Sequence, residues 1–239
     1  MIIQAQIGVG ILSLPHDVAL IAKQDAWIST IIAGVLSQAI IFVIWGLCRR
    51  FPDLSLYQIL PKLLGRVIGK ILILSYSLYF MVTGSLVLAR YSDIIDKWIL
   101  PHTPNWITML LMLLTCIYIV SEGLTSIARF YVLVSPILIV LVALISYAMK
   151  DANVLYLFPI GEHSLPTILK GTKEAAFSML GFELFLFIHP YVHASGKEKL
   201  FAITTANIFV TIFYTFMVMA SIIYFEPNVD IALTPEPLL

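Results

Sequence analysis

Five stretches of this 239-residue chain, 26–48, 71–89, 98–121, 130–149 and 200–225, contain no Asp, Glu, Lys or Arg. Each approaches or exceeds the roughly 20 residues that a helix needs to cross ~30 Å of hydrocarbon. Two more, 1–20 and 166–192, are apolar but carry polar and helix-breaking residues inside them. The expectation is an all-α integral membrane protein with about seven transmembrane helices, over 1–20, 26–48, 70–92, 104–121, 126–149, 166–192 and 200–225. Hydrophobic residues make up 60% of the chain and charged ones 12%, a balance outside that of water-soluble domains. No soluble domain, repeat or low-complexity linker stands out, so 1–239 reads as a single transmembrane domain. Truncation at both ends is expected. Only seven residues precede Gly8, and the chain stops after a loop containing Pro227, Pro235 and Pro237, where a further span would begin.

The connection between the second and third spans holds Arg49, Arg50, Lys62, Arg66 and Lys70, the densest basic loop. The positive-inside bias makes it cytoplasmic, and counting crossings back places the N-terminus on the same side. Within that loop Phe51-Pro52-Asp53 starts a turn, and Asp53 or Ser55 is suited to cap a short helix through Tyr57, Ile59, Leu60, Leu63 and Leu64. Such a helix lies at the interface with its basic groups toward anionic lipid headgroups. Gly65 and Gly69 have the GxxxG spacing, either a helix-dimer motif or part of the connector. Trp27, Trp98 and Trp106 mark outer interfaces as aromatic anchors, and Pro136 is placed to kink the fifth span.

Net charge is zero, which gives no ground for a nucleic-acid partner. Cys48 and Cys116 lack metal-ligand spacing, the five histidines do not cluster, and HExxH, GxSxG, CxxC and Walker patterns are missing. The chain therefore reads as a non-enzyme, with no cofactor or metal site.

Two segments carry what chemistry there is. In Gly8-Val9-Gly10-Ile11-Leu12-Ser13-Leu14-Pro15, two glycines and a proline loosen a helix at a depth where irregular backbone is tolerated only against protein or a watery cavity. A break there leaves amides at the start of the second half, from about Gly10 to Ser13, beside the positive end of the helix dipole, a place for a carboxylate. The alternative is that the glycines let two helices pack closely.

The second segment runs from Gly171 to Pro190. On a continuous helix Gly171, Glu174, Ser178, Phe182, Phe185 and His189 share one stripe, while Glu183 points about 120° away from it. A carboxylate resists that placement at membrane depth, and unwinding near Gly181 would turn it inward. Buried there, Glu183 stays protonated, pairs with a ligand ammonium, or bonds a backbone carbonyl freed by the break. His189 is a packing or helix-end residue, or else a proton relay. Gln4 and Gln6 line the same cavity or bridge helices.

Taken together, Gly8 to Pro15, Lys23-Gln24-Asp25-Ala26-Trp27, Arg50-Phe51-Pro52, Leu64-Gly65-Arg66-Val67-Ile68-Gly69-Lys70 and Gly181-Phe182-Glu183 resemble the endospore germination permease family, the B-subunit type of nutrient germinant receptor. That resemblance implies the amino acid–polyamine–cation permease fold, a LeuT-like arrangement of ten helices in two inverted repeats with helices 1 and 6 broken. It implies the inner membrane of a bacterial spore, partnership with A- and C-type receptor subunits, and detection of a nutrient such as a small amino acid. Carried over by position, Gly8, Val9, Gly10, Ile11 and Leu12 in the first helix and Gly181, Phe182 and Glu183 in the sixth would face the ligand. Set against that fold, this sequence is expected to lack the start of the first helix and the last three spans. A proton-coupled amino-acid transporter with Glu183 as proton carrier, and an inactive fragment, are the rival readings.

Overall fold

The computed structural model describes residues 1–8 and 10–225. Among them the elements are helices and 3₁₀ turns, with no strand: α1 (Ile2–Gln6), α2 (Gly10–Ala22), α3 (Ala26–Arg50), α4 (Leu56–Leu64), α5 (Arg66–Trp98), α6 (Asn105–Ser121), α7 (Leu124–Ala148), α8 (Leu165–Ser178), α9 (Phe185–Ile188) and α10 (Gly196–Tyr224). Four stretches are long and apolar enough to cross a bilayer: Ser13–Arg50, Arg66–Lys97, Leu124–Ala148 and Gly196–Tyr224. Asn105–Ser121 is a shorter apolar helix. The stretches expected at 1–20 and 166–192 are not single long helices; each is divided into short pieces. Ser13–Arg50 spans 38 residues, nearly twice what one crossing of about 20 residues uses. It is divided by a 3₁₀ turn at Lys23–Asp25, where Lys23 has φ 45°.

The helices fall into two compact units, Leu54–Val134 with Met1, and Ile2–Asp53 with Ser135–Leu239. In the first unit, α4 begins at Ser55, whose backbone N–H donates to Gln58 Oε1 at 3.1 Å, and ends at Gly65 with φ 81°. A Cβ on Gly69 would lie 2.5 Å from Pro61 Cα. The two glycines thus make a tight turn and let α5 pack on α4, which accounts for the GxxxG spacing within one chain. Ser92 and Thr108 join α5 to α6 through hydroxyls 2.7 Å apart. Otherwise α5 is exposed along its length, with Leu74, Met81, Val82 and Leu86 among the uncovered side chains, the expected state of a lipid-facing helix.

The second unit is built on α10, the most buried of the long apolar stretches. Its inward positions, Ile203, Ala206, Asn207, Val210, Phe213, Tyr214, Met217, Val218 and Ser221, recur every three or four residues, one face of a helix. The matching stripe on α3 is small and weakly polar: Ala26, Ser29, Thr30, Ala33, Gly34 and Ser37. Small side chains bring backbones together, which is how membrane helices associate without a hydrophobic drive. A Cβ on Gly34 would run into Thr211 of α10, and one on Gly171 of α8 would lie 2.8 Å from Ser29 Oγ. Ser29 Oγ in turn donates to Ile168 O at 2.9 Å. Leu14, Val18, Met179, Phe213, Tyr214 and Met217 fill the core among these helices. Trp27, expected as an interfacial anchor, packs half-buried against this core.

Asp25 locks the turn between α2 and α3 to the segment before α8. Its carboxylate is fully buried and accepts the N–H of Gly161 at 2.7 Å and of His163 at 3.1 Å, with His163 Nδ1 at 3.2 Å. Gln24 Nε2 donates to Glu162 Oε2 at 2.8 Å beside it. A buried carboxylate persists only where donors replace its water, and here two of them are backbone amides.

Candidate functional site: two interrupted helices that touch

The first interrupted segment stops at Gln6 and resumes at Gly10; the second stops at Ser178 and resumes as a 3₁₀ turn at Phe182, with Gly181 at φ 124°. The interruptions lie against one another. A Cβ on Gly10 would sit 2.8 Å from Ser178 Cβ, and one on Gly181 would run into the Ala5 carbonyl and stand 2.9 Å from Gln6 N. The Ser178 Cβ at Gly10 and backbone at Gly181 occupy the space of a side chain, so close packing is part of the role of both glycines. Gly8 differs: it is exposed, and a Cβ there meets nothing within 4 Å. It is on the open side of the crossing.

Helix ends inside a membrane leave carbonyls that something must satisfy. Tyr214 of α10, fully buried, donates its hydroxyl to Gln6 O at 3.0 Å and lies 3.3 Å from Ser178 O, the last carbonyls of α1 and α8. Gln6 Nε2 reaches Met179 O at 3.3 Å and Asn207 Oδ1 at 3.4 Å. Asn207 Nδ2 donates to Gly34 O and Gln38 Oε1, both at 3.1 Å, and Gln38 Nε2 to Thr204 Oγ1 at 3.0 Å. A polar chain therefore runs from the crossing through α10 to α3. Gln6 Oε1, on a side chain 1% exposed, has no hydrogen-bond partner among the described residues.

Glu183 is half-buried, and its Oε2 accepts the N–H of Gly181 at 2.7 Å. The break turned the carboxylate back onto a freed amide, whereas the structural role considered from sequence paired it with a freed carbonyl. Phe182 is buried, Ile11 packs at the edge of the core, and Leu12 lies in the first turn of α2. The Ile11 amide is already taken by Gly8 O at 3.2 Å, which reduces the donors that α2 can offer a carboxylate. Val9 lies outside the described residues. Gln4 Nε2 bonds Ser135 Oγ at 3.2 Å, and Gln6 bridges helices. His189, away from the crossing, is buried with Nε2 3.1 Å from Phe51 O.

The family model described as spore germination protein matches residues 1–234. The chain belongs to that family. Among curated relatives, it is 30% identical to spore germination protein GerQB of Bacillus cereus over 228 residues, 95% of this chain and 62% of the relative. It is 27% identical to YndE of Bacillus subtilis over 90% of this chain and 59% of the relative, and 23% identical to spore germination protein B2 of the same species over 89% and 59%. The chain thus spans about three fifths of the length of the curated relatives it matches. No solved structure matches it. As a member of this family with long apolar helices, it is an integral membrane protein.

Sequence reasoning names Gln6 but misses Asn207, Gln38 and Tyr214. Their signal was available: an Asn and a Gln inside uncharged spans are expensive unless bonded across helices.

Proposed function

We infer that this chain is the nutrient-holding, permease-like B subunit of a spore germinant receptor, with a small amino acid bound where the two interrupted segments meet. The observation that carries the reading is their mutual contact, Gly10 on Ser178 and Gly181 on Ala5. Beside it stand the carboxylate of Glu183 and the unpartnered Gln6 Oε1. A carboxylate is the natural partner of a ligand ammonium. The ligand carboxylate would lie toward Gly8 and the start of α2, the open side, where the dipole favours it. Interruptions in the first and sixth spanning segments support the ten-helix inverted-repeat fold, of which these helices would be seven.

By the same reading the protein works in the inner spore membrane with its N-terminus cytoplasmic, beside A- and C-type subunits, and catalyses no reaction. Ligand binding favours one arrangement of the bundle; moving such an equilibrium from 1:99 to 99:1 takes about 5.5 kcal/mol of preference. The test is binding of labelled amino acids and of uncharged nutrients to the full-length protein in nanodiscs. Glu183→Gln should weaken amino-acid binding by about tenfold or more, since a charge-assisted bond is lost, and spare the uncharged ligands. Equal loss for both would assign Glu183 to folding. Accumulation of label inside vesicles would make the protein a transporter.

A further inference from the structure

Away from the crossing, a cavity of ≈ 240 Å³ opens where the last turn of α3, the 185–191 segment and the first turn of α10 come together. Arg49 and Lys199 line it, and no acidic residue does among the described residues. Both cations are held in place. Lys199 Nζ donates to His189 O at 2.8 Å, and the Arg49 guanidinium lies 5.4 Å from the centre of the Trp45 ring. Trp45 is itself tied by Nε1 to Gly196 O at 2.8 Å, and the His189 ring by Nε2 to Phe51 O. The carbonyl uses one of three ammonium donors, and stacking on Trp45 leaves the N–H fork of Arg49 available. The N-terminus of α10 is closed by its own capping box, Glu198 Oε2 accepting the Ser195 N–H at 2.7 Å, so the two side-chain cations carry the attraction. Trp45, Pro52 and Phe185 make the remaining wall largely apolar.

We propose that this cavity binds a phosphate group, carried by an anionic lipid of the adjacent leaflet. A multidentate oxyanion matches a guanidinium fork and an ammonium facing one space. The cavity lies at the end of α3, a spanning helix finishing in Arg49 and Arg50, which is the level of lipid phosphates. An apolar wall beside the cations suits the glycerol and first acyl carbons of a lipid, whereas free phosphate would leave it uncovered. The site is independent of the nutrient site and holds whether the protein senses or transports.

The experiment embeds the full chain in nanodiscs of phosphatidylcholine with or without phosphatidylglycerol and measures retained lipid by native mass spectrometry. Arg49→Gln with Lys199→Gln should reduce retained phosphatidylglycerol about tenfold or more, because both charge-assisted hydrogen bonds to the phosphate disappear. Lys62→Gln with Lys70→Gln, exposed on α4 and α5 and not lining the cavity, should change it less than about twofold, the scale of exposed charges. Ala194→Trp, at the exposed rim, should displace the lipid with no change of charge and serves if the double variant fails to fold. A parallel titration of inorganic phosphate into phosphatidylcholine nanodiscs follows Trp45 fluorescence against Trp45→Phe. A saturable response there, abolished in the Arg49 and Lys199 double variant, would assign the site to free phosphate. Unchanged retention in the double variant and Ala194→Trp with no phosphate response, or equal loss in the Lys62 and Lys70 pair, would overturn the proposal.

Discussion

The two interruptions are stabilised in different ways. The second is closed in part from within: Glu183 returns to the amide of Gly181, and Gly181 takes up a φ of 124° that side chains avoid, while Tyr214 and Gln6 reach its freed carbonyls at Ser178 and Met179. The first depends on its neighbours, because Tyr214 of α10 holds the carbonyl of Gln6, and the Gln6 side chain leans on Met179 and Asn207. A locally closed bend survives the loss of one distant group. A bend propped from outside transmits what happens at its props, and so suits the side of a site that must respond.

Five substitutions would break or sharpen that contrast. Gly181→Val should have the largest effect, destabilising by about 3 kcal/mol or more, since it combines a strained φ with a clash on the Ala5 carbonyl. Thermal unfolding in detergent would show it, and an unchanged midpoint would mean that the two backbones do not touch. Gly10→Ala should cost about 1–2 kcal/mol by overpacking against Ser178, whereas Gly8→Ala should stay within about 0.5 kcal/mol. Equal effects at the two glycines would erase the distinction between the packed and open sides. Tyr214→Phe should cost about 1 kcal/mol, the scale of an interhelical hydrogen bond in a membrane, and should increase amide exchange near Ala5 to Gly10 more than near Gly181. Exchange raised equally at both bends would remove the inside-outside difference. Glu183→Gln should be the mildest for stability, below about 0.5 kcal/mol, because a Gln oxygen still accepts from Gly181. A large drop in melting temperature would show that the negative charge itself holds the bend.

The long helices were legible because hydropathy over 20 residues is a property of the chain alone. The runs at 26–48 and 200–225 fall within α3 and α10 to within a residue. The short α4 was legible from its cap, since Ser55 precedes an apolar run with Gln58 three residues on. Glycine and proline spacing singled out the neighbourhood of both bends, although α2 runs through Pro15 without stopping. The contacts made at the bends were hidden. An almost uniformly apolar helix such as α10 gives no moment by which to choose its inner face, so Tyr214 could not be aimed at Gln6. The Asp25 clasp was hidden for another reason: its partners are backbone amides 136 and 138 residues away, and an amide has no letter in the sequence.

Main chain pressed on main chain at Gly181 and Ala5 leaves no side chain to flex and absorb a displacement. Adding even one helical turn to the end of α1 would force Gly181 to retreat, and straightening the second bend would push Ala5 the other way. The pair has no slack and behaves as a single pivot, so a molecule wedged at either bend moves both.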